Sequence, residues 1–414
     1  METALTPDEL TRYARQLVMP GFGLAGQVAL KRARVLVIGA GGLGSPALLH
    51  LAAAGVGHIT LMDPDAVEVS NLQRQILFTT ADAGQPKALV AARRLRALNP
   101  HISIEPRAER LNRDNALALV AAHDLVLDGS DNFATRYLVN DACVIARRPF
   151  VYGAIQGFTG QISVFNHRPA PKQPAAEQVA VTPPLECGNL SPFSTECPVA
   201  PPTRQPAAEQ PAASSPPPTY RCLFPEPPPP EDAPSCAEAG VLGVLPGIIG
   251  ALQAAEAIKV LTGIGEPLSG KLLLINVLTM TSRVLTFPAD PANQNIRELP
   301  PDPPQITCPL NPTPNPTDEI TPGELHRLDK PPQFIDVREN WERLRDGPLF
   351  QDSIHIPLNQ LTTPDAERIL AQFDKTAPTV VHCAKGVRSL KALPILRSLH
   401  GFRNIKSLRP APPS

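Results

Sequence analysis

Short apolar runs alternate with segments of helical periodicity through the first part of the chain. The apolar runs predict strands at 35–38, 58–62, 102–105, 125–127, 150–152 and 161–165. The segments between them predict helices at 45–54, 86–98, 115–122 and 133–146. The alternation of strands and helices predicts an α/β fold with a Rossmann-like, doubly wound parallel sheet.

Further elements are predicted on both sides of this region. Thr6, Pro7 and Glu9 form a helix start with a capping box, so a helix precedes the first strand. A long apolar helix is expected over 240–261, followed by strands at 272–276 and 283–287. The last hundred residues or so alternate again, with strands at 334–337 and 380–382, which predicts a second, smaller α/β domain.

Proline separates these regions. The chain has 414 residues and 51 prolines, many of them concentrated in 167–219, where Pro, Ala, Gln and Ser prevail. Such a segment buries too little apolar surface to offset its ordering entropy, so we predict a disordered insertion. The predicted domains are therefore 1–290, which contains the insertion, a proline-rich linker at 291–317, and 318–414.

Charge and cysteine content indicate which partners and which cellular compartment to expect. The formal net charge is −1 and the basic residues are scattered, so we expect neither a nucleic-acid nor a membrane partner. Seven cysteines spread over the chain do not form a disulfide framework. Together with the lack of a signal-peptide pattern, this predicts a cytoplasmic protein.

A glycine turn between the first strand and the next helix predicts a nucleotide site. Gly39, Gly41, Gly42 and Gly44 leave backbone N–H groups and a helix N-terminus free to face phosphate. Asp63, at the end of the following strand, is placed to accept hydrogen bonds from ribose hydroxyls. These features alone also fit NAD, and a glycine turn needed only for packing is the simplest alternative.

Additional charged residues favour ATP over a dinucleotide. Attack of a carboxylate on the α-phosphate requires cations, for which Arg74 and Lys87 are candidates. Asp131 is a candidate Mg²⁺ ligand, because hard cations prefer carboxylate oxygen. The other candidate nucleotide-binding residues are Ser70, Asn71, Leu72, Gln73 and Asn132.

Two cysteines are candidate nucleophiles. Cys236 precedes the long apolar helix, whose N-terminus favours the thiolate; a small buried hydrophobe is the alternative. Cys383 follows a predicted strand and starts a loop that ends at Arg388, with four residues between the two. Phosphatase loops usually have five, so this tighter loop suits a single sulfur atom.

The motifs together resemble two families. Residues 8–290, outside the insertion, resemble the ubiquitin-activating-like adenylyltransferases of molybdopterin and thiamin biosynthesis. The motifs that carry this resemblance are Arg12-Tyr13-x-Arg15-Gln16, the glycine turn, Asp63 with Asp65, Ser70 to Gln75, Lys87, Asp128-Gly-x-Asp131-Asn132 and Ser235-Cys236-Ala237-Glu238. The Cys383 loop, with Ile335-Asp336-Val337-Arg338 as an early strand, resembles the rhodanese sulfurtransferases.

The resemblance implies a function and partners. It implies ATP–Mg²⁺ bound by Arg74, Lys87 and Asp131, and a homodimer in which Arg15 reaches the partner's site. It implies a ubiquitin-like sulfur carrier with a C-terminal Gly-Gly as substrate, a persulfide on Cys383 supplied by a donor such as a cysteine desulfurase, and Arg388 bracing the loop. In relatives, the cysteine matching Cys236 takes the carrier as a thioester or an acyl disulfide.

The chain departs from these families in two places. Relatives hold zinc with two Cys-x-x-Cys pairs, but here Thr219 replaces one cysteine of the first pair and 293–296 contains none, so we predict no zinc. The rhodanese-like part lacks the closing helix, which leaves either a weakened module or a protein-binding remnant as alternatives. We therefore predict carrier adenylation followed by sulfur transfer; an NAD-dependent oxidoreductase and a non-catalytic scaffold are the other two classes.

Overall fold

The computed structural model describes residues 5–168, 216–227, 240–299, 318–328, 330–384 and 386–409. Most of the predicted insertion, the later part of the predicted linker, and Cys236 lie outside these ranges. The chain divides into two compact units, Met1–Asp302 and Pro303–Ser414, which are described separately. Leu299 is buried in a core of the first unit, so the packing of that unit continues past residue 290.

The first unit is built on an eight-stranded sheet with the order β3-β2-β1-β4-β5-β6-β7-β8. Its strands are β1 (Arg34–Ile38), β2 (His58–Met62), β3 (Ser103–Arg107), β4 (Leu125–Asp128), β5 (Phe150–Gln156), β6 (Thr159–Phe165), β7 (Lys271–Asn276) and β8 (Thr281–Thr286). The first five strands are parallel to one another, and the remaining pairs are antiparallel. The predicted Rossmann-like fold is confirmed for the parallel half.

The pairing direction of the later strands was not predicted from the sequence, and short turns set it at two places. Strands β5 and β6 are joined by a short turn at Gly157, whose φ is +57°. A parallel connection requires a crossover of a dozen or more residues, and neither this turn nor the one between β7 and β8 provides it. Strand β8 is exposed along its whole length at the end of the sheet.

Helices cover both faces of this sheet. The helices of the first unit are α1 (Pro7–Arg12), α2 (Ala14–Leu17), α3 (Gly23–Arg32), α4 (Gly44–Ala54), α5 (Lys87–Leu98), α6 (Arg113–Ala121), α7 (Phe133–Ala146), α8 (Tyr220–Leu223) and α9 (Val244–Thr262). Sequence analysis did not predict α3. One large buried core contains residues of α3, α4, α5 and α9, and a second contains residues of α6 and α7.

Helix α9 is the one helix in the described ranges that is long and apolar enough to cross a membrane by composition. It lies against the sheet instead, with Leu245 and Ile249 fully buried beside Leu43. A Cβ on Gly250 would lie 2.4 Å from the Leu43 carbonyl oxygen, so glycine permits the close approach of α9 to α4. These contacts identify α9 as a core helix.

The second unit has a five-stranded parallel sheet with the order β11-β10-β12-β13-β9. Its strands are β9 (Glu319–Ile320), β10 (Gln333–Asp336), β11 (Ile354–His355), β12 (Thr379–His382) and β13 (Ile405–Leu408). Its helices are α10 (Pro322–Leu325), α11 (Asn340–Asp346), α12 (Pro364–Leu370) and α13 (Val387–Ser398). The core includes Val381, Leu393 and Ile405, so the two central strands and α13 share one apolar interior.

Candidate active site

The glycine turn connects β1 to α4 and has no room for side chains at Gly39 and Gly44. Gly39 has φ +89°, and a Cβ there would lie 3.0 Å from the Gly129 carbonyl oxygen. A Cβ on Gly44 would lie 1.9 Å from the Gly39 carbonyl oxygen. The backbone therefore folds tightly on itself at the N-terminus of α4, where N–H groups and the helix dipole favour an anion.

Asp63 fixes the position of this turn. The Asp63 carboxylate accepts a hydrogen bond from the Ala40 backbone N–H at 2.8 Å and another from the Asp65 N–H at 2.9 Å. Burial raises the pKa of Asp63, while nearby Lys87 and the two N–H groups oppose that rise. Asp63 thus ties the end of β2 to the glycine turn, in addition to its predicted role toward ribose.

The two predicted cations lie on the same side of the unit as the turn. Arg74 packs over it, since its Cγ would lie 3.4 Å from a Cβ on Gly42. Lys87, at the start of α5, is almost fully buried and its Nζ lies 3.2 Å from Asp65 Oδ2. Because Lys87 also acts electrostatically on Asp63, both cations are within the electrostatic range of the turn.

The run before Arg74 connects the glycine turn to α9. Residues Val69–Asn71 form a short 3-10 helix, and Asn71 Nδ2 donates to Ser70 Oγ at 3.3 Å. Leu72 packs against the buried core that contains residues of α3, α4, α5 and α9. A Cβ on Gly243 would lie 2.1 Å from the Gln73 carbonyl oxygen, so the run passes directly against the start of α9.

Asp131 and Asn132 follow β4 at the carboxyl edge of the sheet. Both are exposed, and Asn132 Oδ1 accepts the Thr135 N–H at 2.8 Å, which caps α7. Behind them, Asp128 is fully buried; its Oδ1 accepts the Ser130 N–H at 2.9 Å, and its Oδ2 has no partner in the described residues. An exposed carboxylate above a buried one is a donor set that fits Mg²⁺.

Sequence analysis missed a group of buried polar residues beneath this edge. Arg136 Nη2 donates to the Ser130 carbonyl at 3.3 Å, and Gln253 Nε2 donates to the Asp128 carbonyl at 2.7 Å. Burial raises the pKa of Asp128, and Arg136 opposes that effect. Arg136 and Gln253 therefore fix the backbone of the 128–131 turn from its buried side. A signal was present in the sequence, because Gln253 interrupts an otherwise apolar helix face.

Arg15 stands apart from the glycine turn. It is exposed on α2, and its guanidinium has no partner within the described part of the chain. The neighbouring Tyr13 is buried and its hydroxyl accepts a hydrogen bond from Asn99 Nδ2 at 2.8 Å; the same Nδ2 donates to the Ala52 carbonyl at 2.7 Å. Tyr13 thus anchors the segment that presents Arg15 to solvent.

The position at which the resemblance places zinc in relatives holds a single sulfur among N–H donors. Cys222 Sγ accepts hydrogen bonds from the backbone N–H of Thr219 and of Asp290, each at 3.3 Å, and lies 3.7 Å from Asn293 Nδ2. In the described ranges no three His, Cys, Asp or Glu residues gather as a metal site. A closed zinc site requires four ligands, so the residues present here do not fit that metal.

Cys383 lies in the loop between β12 and α13 of the second unit. The thiol is buried, with Sγ 3.5 Å from Ser389 Oγ. Ser389 donates to the Gly386 carbonyl at 2.8 Å and accepts from Ser407 at 2.8 Å. Gly386 has φ +80° and lies immediately before the first residue of α13.

Arg388 pairs with an acid that sequence analysis did not identify. Its two terminal nitrogens contact both carboxylate oxygens of Glu342 on α11. The Arg388 guanidinium lowers the pKa of Glu342. A second pair lies deeper in the same unit, where Arg338 donates to the Asp336 carboxylate at 2.7 Å, beside the buried His382.

Two family models match the chain. The ThiF family model matches residues 13–298, and the rhodanese-like domain model matches residues 321–409. These matches confirm both resemblances drawn from the sequence.

Among curated proteins, a sulfur carrier protein adenylyltransferase of Thermus thermophilus is 49% identical over 286 residues, covering 69% of this chain and 90% of that protein. A probable adenylyltransferase/sulfurtransferase, MoeZ, of Mycobacterium tuberculosis is 39% identical over 416 residues, covering 98% of this chain and 93% of that protein.

Among solved structures, a crystal structure of E. coli MccB with AMPCPP and MccA shares the fold. Its TM-score is 0.51 at 22% sequence identity, covering 71% of this chain and 75% of that one. The predicted α/β fold with two units is thus confirmed. The chain belongs to the ThiF family and carries a rhodanese-like domain at its C-terminal end.

Proposed function

We propose that this enzyme adenylates the C-terminal carboxylate of a ubiquitin-like sulfur carrier and then converts it to a thiocarboxylate. The observation that supports this most directly is that Arg74 and Lys87 flank the glycine turn, with Asp131 at the adjoining sheet edge. Positive charge beside a phosphate-binding turn is what attack by a carboxylate on an α-phosphate requires.

In the first step, a carboxylate oxygen of the carrier forms a bond to the α-phosphorus of ATP, and pyrophosphate leaves. Arg74 and Lys87 neutralise charge on the phosphates, while Asp63 holds the turn in place through the Ala40 N–H. Asp131 would hold Mg²⁺, with the buried Asp128 behind it; the metal, when bound, offsets phosphate charge.

In the second step, the terminal sulfur of a Cys383 persulfide attacks the acyl carbon, and AMP leaves. The product is an acyl disulfide between Cys383 and the carrier. A second thiolate, for which Cys236 is the candidate, attacks Cys383 sulfur and releases the thiocarboxylate. The resulting protein disulfide is reduced by a cellular dithiol. A persulfide donor such as a cysteine desulfurase recharges Cys383.

Further parts of the proposal concern assembly and metal content. The unpartnered Arg15 supports a homodimer in which this arginine reaches the partner's phosphates. The Cys222 environment supports an enzyme without zinc, and metal analysis that found one zinc per chain would refute this. We place the enzyme in the cytoplasm, where free thiols stay reduced.

Pyrophosphate exchange tests the adenylation site. With ATP, Mg²⁺ and a Gly-Gly carrier, Asp131→Ala is expected to abolish exchange, while Asp114→Ala, at another exposed aspartate, leaves it unchanged. Cys383→Ala is expected to retain exchange and to lose the thiocarboxylate, detected by the mass of the carrier. If Asp131→Ala kept full exchange, the assignment of the nucleotide site would be wrong.

The two other function classes are less well supported. An NAD-dependent oxidoreductase has no use for Arg74 and Lys87 at the turn, and a titration of ATP–Mg²⁺ against NAD separates the two. A scaffold role for the proline-rich insertion is compatible with catalysis. Deleting 167–219 is expected to leave exchange intact.

A further inference from the structure

A buried serine from the last strand reaches the active-site loop of the second unit. Ser407 lies on β13, is fully buried, and donates to Ser389 Oγ over 2.8 Å. Ser389, in the first turn of α13, is also fully buried, and its Oγ lies 3.5 Å from Cys383 Sγ. The hydroxyl groups of Ser407 and Ser389 therefore form a continuous series of contacts from β13 to Cys383 Sγ.

The number of hydrogens fixes the direction of these bonds. A serine hydroxyl has one hydrogen and two lone pairs. Ser389 places its hydrogen on the Gly386 carbonyl at 2.8 Å and accepts from Ser407, so only a lone pair remains for Cys383. The thiol of Cys383 is therefore the donor in the contact between sulfur and oxygen.

This arrangement suits the thiol but not its deprotonated form. To take up sulfur, the Cys383 thiolate attacks a donor persulfide, a new S–S bond forms, and the donor thiolate leaves. A thiolate has no hydrogen to donate, so a lone pair of Ser389 would then face the negative charge. Turning the Ser389 hydrogen from Gly386 to the sulfur removes this conflict, and charged acceptors form the stronger hydrogen bond.

We propose that Ser407 is a positioning residue that lets Ser389 make this switch. Ser407 donates to the Ser389 oxygen in both states, so the oxygen stays in place while its hydrogen changes partner. The inference rests on the proposed role of Cys383 as the nucleophile that accepts sulfur. Arg388 on α13, which interacts electrostatically with Cys383, and its partner Glu342 on α11 are the same in every variant used below.

Alkylation of Cys383 tests the proposal in the full-length chain. The variants are Ser389→Ala, Ser407→Ala and the double substitution. The control is Ser398→Ala, because Ser398 lies on the same helix and donates to a backbone carbonyl at 2.7 Å at an exposed position. The rate of iodoacetamide addition to the peptide containing Cys383 is followed by mass spectrometry across a pH series.

We expect the half-maximal pH of alkylation to rise by about one unit in Ser389→Ala and by about half a unit in Ser407→Ala. The double variant is expected to match Ser389→Ala, because Ser407 acts only through Ser389. Ser407→Thr keeps a hydroxyl and is expected to behave as the unsubstituted chain. Ser398→Ala is also expected to leave the profile unchanged.

Three results would overturn the inference: an unchanged profile in Ser407→Ala, a sum of both shifts in the double variant, or the same shift in Ser407→Thr as in Ser407→Ala. Fluorescence of Trp341, the single tryptophan of the chain, reports whether each variant keeps the second unit folded. If the shifts appear as expected but Cys383 takes up no sulfur from any persulfide donor, the positioning role of Ser407 is supported. The proposed function of the chain is then overturned.

Discussion

The guanidinium of Arg388 meets the carboxylate of Glu342 through two contacts, of 2.5 and 2.7 Å. Arg388 lies in the first turn of α13, directly after the loop that starts at Cys383, whereas Glu342 belongs to α11, 46 positions earlier in the chain. Glu342 is buried and also accepts the Glu339 N–H at 2.9 Å. The pair therefore attaches the loop around the sulfur to a separate helix.

Glu342→Gln is expected to loosen this attachment. The amide keeps the shape of the carboxylate but removes its charge, and a hydrogen bond between charged groups contributes about 1.5–3 kcal/mol. We expect the second unit to unfold at lower denaturant concentration and sulfur uptake by Cys383 to slow. Glu367→Gln, at an exposed glutamate on α12, is the control and is expected to change neither.

Stability of the second unit is expected to depend on His382 in mildly acidic solution. Burial lowers the pKa of His382 from 6.5 to about 4. Between these values the unfolded chain binds a proton that the folded unit does not, so the free energy of unfolding falls as the pH decreases from 6.5 toward 4. The full loss is roughly 3 kcal/mol.

Denaturant titrations at several pH values, followed by Trp341 fluorescence, measure this dependence. His382→Gln removes the titrating group and is expected to flatten the curve in that interval. His326→Gln, at an exposed histidine, is expected to keep it. A His382→Gln curve as steep as that of the unsubstituted chain would contradict the assignment.

Gly44→Ala is expected to abolish pyrophosphate exchange. Its methyl group would overlap the Gly39 carbonyl oxygen, at 1.9 Å, and the obstacle is backbone that cannot move aside without opening the turn. Gly247→Ala is the matched control, because a Cβ there meets nothing within 4 Å on α9. The control is expected to keep exchange and to gain up to about 1 kcal/mol of stability.

Cys222→Ala is expected to destabilise the first unit by about 1–2 kcal/mol, because the N–H donor of the buried Thr219 and that of the exposed Asp290 both lose their acceptor. Cys222→Ser is expected to retain part of that stability through its oxygen. Thermal unfolding with and without a chelator gives the measurement. A chelator that lowered the melting temperature of the unsubstituted chain would indicate a bound metal and contradict this account.

The sequence predicted the parallel strands, their helices and the glycine turn because each depends on local periodicity or on a backbone that only glycine permits. The antiparallel direction of β6, β7 and β8 was not predicted, because apolar strands carry no sign of their pairing direction; short turns set it for the β5–β6 and β7–β8 pairs. Helix α3 was missed because it begins with glycine, which is typical of turns.

Contacts between distant segments could not be predicted. Glu342 is one of many surface-type acids in the sequence, and only the fold brings it to Arg388. The same holds for Ser407 and Ser389, and for Gln253 beneath Asp128. Their partners are separated by up to 125 positions, and a single sequence gives no record of which residues meet.

Asn99 connects the N-terminal segment to α4 through hydrogen bonds. One amide group joins the Tyr13 hydroxyl to the Ala52 carbonyl, and α4, which contains Ala52, begins at the glycine turn. Gln16 and Gln27 both donate to the neighbouring Ala54 carbonyl. The segment that carries Arg15 is therefore tied by hydrogen bonds to the C-terminal end of α4, so its position depends on the same helix whose N-terminus follows the glycine turn.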